Sequence, residues 1–455
     1  MASAKSTSSM PVVHLNAAGI DIGSEFHVVA VPADRDSKPV RTFKSFTGEL
    51  HAMAKWLQSC RITTIAMEST GVYWIPAYEI LESYGFEVFL VNARESKNVP
   101  GRKSDINDAQ WLQKLHQFGL LRASFRPSSE IAEMRAYLRQ RERLIDYKSS
   151  HIQHMQKAMM QMNVQLGHVV SEITGMTGMN IIRAIVAGQH DPKELVKYRD
   201  VKCKNSEETM IAALSGNYKP EHLFALKQSL ELIDFYSEKI KACDEAIELI
   251  MQQLRQHTEP PEKPLSKSKK RTNQGPNAMS FDVRSDLYHV LGLDLTEIDG
   301  FGPTLALKMI SECGADMSRW PTSKHFTSWL CLAPGSKISG GKVLSSKTRK
   351  SSSRAATLLR LAATTVGKTN TALGAFYRRL AFRAGKPKAV TATARKLATI
   401  FYNMLRYGRA YDDPGAAYYE EKCKARALVH LRKKADAFGF ILQEKTGSTV
   451  AVGVS

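Results

Sequence analysis

The chain has no cysteine pair at CxxC spacing. Its six cysteines (Cys60, Cys203, Cys243, Cys313, Cys331 and Cys423) are scattered over 455 residues. That excludes a structural zinc site built on such pairs, excludes a disulfide framework, and agrees with a reducing cytoplasm. No run of about eighteen apolar residues is present to span a bilayer. The N-terminal MASAKSTSSMPVVH lacks the apolar core of a signal peptide, so secretion is not expected. The sharpest deficit is local. Between Asp316 and Asp412 there is no acidic residue, yet the stretch carries nineteen Lys and Arg.

An ordinary solvated surface mixes both signs, so ninety-five residues without one acid read as a phosphate-facing surface. Membrane-surface binding is the weaker competitor, because no long basic amphipathic helix with a Trp/Leu face stands out. The whole chain leans the same way, with 64 Lys+Arg against 44 Asp+Glu and a formal charge of +20. A polyanionic partner is expected. The 43% apolar share is that of a globular protein. The length suggests about three domains at the usual 100–200 residues each.

Residues 15–127 read as an α/β domain. AAGIDIGSEFHVVAVP (17–32) is apolar and β-branched, broken at Gly23, and predicts a strand, a turn and a second strand. ITTIAMES (62–69) and FEVFLVN (86–92) predict strands, with an amphipathic helix, IPAYEILESYG, between them. From Ser128 the pattern changes to helical spacing. Ile131, Met134, Leu138, Leu144, Ile145 and Met155 recur at steps of three and four, and a second such run covers 221–257. Two long helices in residues 128–257 predict a coiled coil, within the chain or between protomers. Met155, Met159, Met160 and Met162 are expected to fill core. Residues 258–280 read as a linker and 281–411 as a basic, mainly helical domain. Residues 412–455 form an extension to which no role is assigned.

Four acidic residues mark a candidate metal site. Asp21 lies inside an apolar strand, where a carboxylate is costly unless it binds something. Glu68 ends another strand. Asp105 and Asp108 stand three apart at the start of a helix and so share a face. Singly, each has a plain alternative: a strand-end surface acid for Glu68, an N-cap for Asp105, a first-turn dipole residue for Asp108. Together and in this order they resemble the acidic set of RNase H-like nucleases, which hold divalent cations in pairs for phosphodiester chemistry.

Two further motifs lie in the basic region. IDGFGPTLALKMISECG (298–314) is similar to a helix-hairpin-helix, whose glycine turn offers backbone N–H groups to a phosphate; a tight turn needed only for packing is the alternative. WLCLAPGSKISGGKVLSSKTRKSSSRAATLLRLAA (329–363) predicts a flexible, basic, Ser-rich loop ahead of a helix, with Lys337, Lys342, Lys347, Arg349, Lys350 and Arg354 as candidate nucleic-acid contacts. No GxSxG elbow surrounds its serines, so a hydrolase triad finds no support. His27, His116, His168 and His190 form no HxxxH or HExxH pair and read as surface or core histidines.

GIDIGSEFH (19–27), AMESTGVYW (66–74) and GRKSDINDAQWLQKLHQFGLL (101–121) resemble the three N-terminal signature blocks of the DEDD transposases of the insertion-sequence family numbered one hundred and ten, which includes Piv-type invertases. The likeness extends through EITGMTGMNIIRAIVAGQHDP (172–192) and covers most of residues 17–410. It implies a RuvC-like N-terminal domain with Asp21, Glu68, Asp105 and Asp108 as the tetrad holding Mg²⁺ or Mn²⁺. It implies Ser339 of KISGGK as the covalent nucleophile, with Ser336, Ser345 and Ser346 as rivals. It further implies an RNA-guided DNA recombinase of the bacterial, nucleoid-associated cytoplasm, working with donor and target DNA and a noncoding guide RNA. The long helices and the need to hold two duplexes predict an even-numbered assembly, a dimer or tetramer. A RuvC-like structure-specific nuclease without a covalent step, and a decayed, non-catalytic binding protein, are the other classes left open.

Overall fold

The computed structural model describes residues 11–69, 71–92, 105–267, 275–351 and 353–443, the side chains of 105–107 excepted. The chain divides into two compact units, residues 1–126 and 127–455.

In the first unit, strands β1 (Ala17–Ile22), β2 (Phe26–Ala30) and β3 (Val40–Lys44) are followed by helix α1 (Thr47–Ser59). Then come β4 (Thr64–Glu68), α2 (Trp74–Ser83), β5 (Glu87–Val91) and α3 (Asp105–Gln117). The sheet order is β3-β2-β1-β4-β5. β2 runs antiparallel to both β1 and β3, while β4 pairs parallel with β1 and with β5. Period-2 alternation splits the strands between two layers. Ile20, Ile22, Val29, Ile65 and Met67 pack with Leu50, Met53, Leu57 and Leu81 of α1 and α2. On the other face Ala66 and Val91 meet Leu112 and Leu115 of α3, and Val28 and Ala30 meet Ala109. The β1–β2 turn, β4, α2 and β5 lie where the pattern places them. β3 and α1 were not expected: β3 buries only Phe43, as an edge strand does, so its sequence carries no apolar alternation.

The second unit is built on α4 (Ser129–Gln161) and α7 (Pro220–Gln256). Arg141 meets Asp244, Tyr147 and His151 meet Tyr236, and Met155 and Met159 share a core with Leu226, Leu230 and Ile233. The two long helices therefore pair antiparallel within the chain. Between them α5 (Met176–Val186) and α6 (Glu207–Leu214) close a small core. Met155, Met159 and Met162 fill it as expected, whereas Met160 is exposed.

After α7 come α8 (Val283–Leu291), α9 (Pro303–Cys313), α10 (Ser323–Trp329), strands β6 (Lys337–Ser339) and β7 (Lys342–Ser345), α11 (Arg354–Val366), α12 (Ala372–Ala384), α13 (Lys386–Tyr407) and α14 (Ala416–Ala437). α13 is central: it packs against α10, α11 and α12, buries Phe401 and Tyr402, and ties the Tyr402 hydroxyl to the Trp320 carbonyl at 2.6 Å. The tract read as a linker is fastened where it is described. Tyr288 and Arg284 donate to the carbonyls of Lys263 and Ser266, and Arg141 donates to those of Asn277 and Ala278. No helix of the described residues is long and apolar enough to cross a membrane.

Candidate active site and nucleic-acid interface

Because Ala18, Ile20 and Ile22 face α1 and α2, strand alternation turns Ala17, Gly19 and Asp21 toward α3. The same reasoning turns Ala66 and Glu68 of β4 toward α3, since Ile65 and Met67 face the other way. Register completes the placement. Gly19 pairs with Ala66 and Ile20 with Met67, so the next step along these parallel strands sets Asp21 beside Glu68. Both residues are half-buried and each has a neighbour it interacts with. The structure thus brings together two of the four predicted acids.

Gly19 decides how near α3 comes. A Cβ there would collide with the backbone nitrogen of Gln113 and the carbonyl of Ala109. Only a glycine lets the helix lie this close to the sheet, and sequence reading did not single it out. Farther along α3, His116 accepts or donates a 2.8 Å hydrogen bond with the Thr64 hydroxyl and stacks on His14. Thr64 begins β4 and Glu68 ends it, so α3 runs with its N-terminus toward the acidic end of the sheet. Asp108 is on the first turn of α3 and half-buried. Asp105 is the first residue of that helix, one turn before Ala109; its side chain lies outside the described residues. Among the described residues no three His, Cys, Asp or Glu side chains form a cluster able to hold a metal ion.

The histidines behave as read. His27 and His116 are buried, and burial lowers both pKa values, His116 to about 4 with His14 adding to the effect. A neutral imidazole in a closed layer is not poised for proton transfer at neutral pH.

The serine segment is a correction. The sequence predicts a flexible loop over 335–350, and the structure shows a β-hairpin. Ser339 pairs with Lys342 across Gly340 and Gly341, whose φ values of +54° and +75° are both positive, as a two-residue type I′ connection demands. Gly335 N donates to Lys347 O, and Pro334 bridges Thr348, so the ladder continues below the strands. Ser336, Ser339 and Ser346 are exposed and Ser345 is half-buried. Lys337, Lys342, Lys347, Arg349 and Lys350 are exposed as well, with one Arg349 nitrogen donating to the Ser328 carbonyl at 2.7 Å. Arg354 is also about half exposed, but its guanidinium is engaged on one side. It forms ion pairs with Glu142 and Glu312, and these acids also bind Lys308 and Arg139. These two carboxylates are shared among three cations, so the cluster keeps a positive charge, and the pairs pin α11 to α4 and α9.

In the segment similar to a helix-hairpin-helix, Gly300 (φ +77°) lies so close to α11 that a Cβ would stand 2.8 Å from the Ala362 carbonyl and the Val366 side chain. Packing alone requires that glycine.

Two matches to known families fall on these elements. Residues 18–164, which carry Asp21, Glu68, Asp105 and Asp108, match the DEDD transposase family model of IS110. Residues 294–378, which carry the Ser339 hairpin, match the Transposase IS116/IS110/IS902 family. The protein is a transposase, an enzyme that cleaves and rejoins DNA. It belongs to the IS110 family of DEDD transposases. Residues 172–192 lie outside both matched ranges. No curated protein matches the chain.

Proposed function

We propose that this transposase exchanges DNA strands through a phosphoserine formed on Ser339, at a site completed by Asp21, Glu68, Asp105 and Asp108, with the choice of DNA sequence made by a noncoding guide RNA. The observation that carries the reading is the side-by-side placement of Asp21 and Glu68 at the C-terminal ends of two parallel strands, on the face covered by α3. The order β3-β2-β1-β4-β5 with β2 alone reversed supports a RuvC-like, RNase H-like assignment of this unit. The antiparallel α4–α7 pair supports a coiled-coil middle domain.

Hard carboxylate oxygens from separate elements suit Mg²⁺ or Mn²⁺. Bound there, the cation would draw charge from the phosphate oxygens under attack. Asp21 and Glu68 hold their positions because both strand backbones are locked in the sheet. Ser339, at the tip of its hairpin, offers an exposed hydroxyl amid Lys337 and Lys342. Its Oγ forms a P–O bond as the bond from phosphorus to the departing deoxyribose oxygen breaks; the serine proton passes to solvent, and the departing oxygen takes one up from solvent to leave as a hydroxyl. One ester replaces another, so rejoining needs no external energy source. The acid-free basic tract suits a load of RNA and DNA held by backbone and shape, with base pairing choosing the sequence. A shared site would make the working form a dimer or tetramer.

The test is a nicked suicide substrate with Mg²⁺ and the RNA encoded beside the gene. Wild type and Ser336→Ala should yield a covalent protein–DNA adduct, and Ser339→Ala none. Asp21→Asn should abolish strand exchange while leaving nucleic-acid binding in place. Cleavage without an adduct would make the protein a metal-dependent nuclease instead. Mixing Asp21→Asn with Ser339→Ala protein should restore partial activity when the site is shared between protomers.

A further inference from the structure

Helix α12 carries two phenylalanines with opposite fates. Phe376 is covered: Lys396 lies 4.6 Å from its ring centre and Tyr419 of α14 meets it edge-on. Phe382 is 96% exposed. Helical spacing explains part of this, since residue 382 sits on the outward stripe with Arg378 and Arg379, one turn earlier. Gly385 (φ +89°) then ends α12, and Lys386 and Pro387 start α13 at a sharp corner. Arg379, Phe382, Arg383, Lys386 and Lys388 all lie exposed around that corner. Arg378 is held back, donating to the carbonyls of Thr369 and Gly367.

A bare phenyl ring forgoes the stabilisation that burial would bring, so one this exposed beside a cluster of cations suggests a partner that covers it. Charge narrows the class. No carboxylate occurs in the sequence from 317 to 411, and among the ion pairs of the described residues none engages Arg379, Arg383, Lys386 or Lys388; the nearest acids in sequence on a packed element are Glu420 and Glu421 of α14. A partner must bring both negative charge and a flat apolar face. An unpaired nucleotide has both, in its phosphate and in the face of its base. In a closed duplex the bases are stacked on one another and offer no such face.

We propose that Phe382 is a stacking platform for an unpaired nucleobase, with Arg379, Arg383, Lys386 and Lys388 holding the adjoining phosphates. This rests on the reading of the basic tract as a nucleic-acid interface. An RNA loop and a DNA strand opened during exchange present the same chemistry.

The experiment measures binding of the full chain to a labelled 20-nucleotide single strand, as RNA and as DNA, and to the blunt DNA duplex of the same sequence. Phe382→Ala should weaken single-strand binding about tenfold and leave duplex binding nearly unchanged, while Phe382→Trp should keep wild-type affinity. A 2-aminopurine placed in the strand should be quenched by the wild-type ring and not by Phe382→Ala. Loss on RNA only, or on DNA only, identifies the source of the base. Equal affinity of Phe382→Ala and wild type for every strand overturns the proposal. So does a loss confined to anionic lipid vesicles, which would make the corner a membrane contact. Arg379→Gln with Arg383→Gln separates the two readings. If that double variant weakens every nucleic acid while Phe382→Ala changes none, the stacking role alone fails. Should the double variant leave binding and its salt dependence unchanged, the nucleic-acid reading of this surface fails with it.

Discussion

Gly19 and Gly48 are both glycines of the N-terminal unit, and their surroundings predict opposite responses to one methyl group. At Gly19 the added Cβ meets backbone of α3 that cannot swing aside, so Gly19→Ala should cost about 1–3 kcal/mol and push α3 off the Asp21–Glu68 face. At Gly48, in the first turn of α1, nothing lies within 4 Å. Gly48→Ala should be neutral or stabilise by up to about 1 kcal/mol. Thermal melts check both, and strand exchange should fall only with Gly19→Ala. His116 supplies a second residue-scale prediction. Its folded pKa, about 4, lies below the ordinary 6.5. Its neutral form therefore stabilises the fold fully above pH 6.5, and this contribution is lost as pH falls from 6.5 toward 4. The loss is on the order of 3 kcal/mol for this buried ring. Denaturant unfolding of the N-terminal unit at several pH values should show that acid slope, and His116→Leu should flatten it. An unchanged slope would mean that another group governs the acid response.

Among elements, the β6–β7 hairpin stands out because its ordering depends on two residues. Gly340 and Gly341 supply the positive φ angles, while Ile338, Val343 and Leu344 stay exposed. A two-stranded hairpin with no buried face is marginal in water, so its turn chemistry matters more than usual. Gly340→Val places a β-branched residue at φ +54° and should displace Ser339, abolishing the covalent adduct without lowering the melting temperature. Gly340→Asn, which tolerates that conformation, should retain the adduct. A Gly340→Val protein that still forms the adduct at the wild-type rate would show that the hairpin geometry does not position the serine. The α4–α7 pair is the opposite kind of element, held along its length by buried contacts. At its middle, Arg141 and Asp244 are both buried and also bind the backbone of residues 277–280. Asp244→Ala should strand the guanidinium and cost about 3–5 kcal/mol in unfolding free energy.

For the whole molecule the governing quantity is charge. A net +20 with a long acid-free tract should make nucleic-acid affinity fall steeply with salt. Arg349 and Lys350 are exposed beside the hairpin. Neutralising both should weaken binding across sequences and lower the slope of log affinity against log salt by roughly one or two counterions. Arg354→Gln should act otherwise. Because its guanidinium is bound to Glu142 and Glu312, the loss should appear mainly in stability, with little change in the salt slope. Titrations at several ionic strengths distinguish the two outcomes.

The residue pattern alone was enough for the β1–β2 turn, β4, α2, β5 and both long helices, since hydrophobic spacing is a property of neighbours in sequence. It was likewise enough to mark Asp21, because a carboxylate in an apolar strand is conspicuous without any coordinates. Edge strand β3 escaped notice, for only Phe43 among its residues faces core. ISGGKV contained the turn signal of a hairpin, but the surrounding Lys and Ser residues made it look like an open loop. Tertiary structure decided the rest. That Asp21 stands beside Glu68, that Arg354 is paired with Glu142 and Glu312, that Phe376 is covered and Phe382 bare, all depend on which distant segment arrives at each surface. Residue type sets what a side chain can do, and packing over long sequence separations sets which partner it meets.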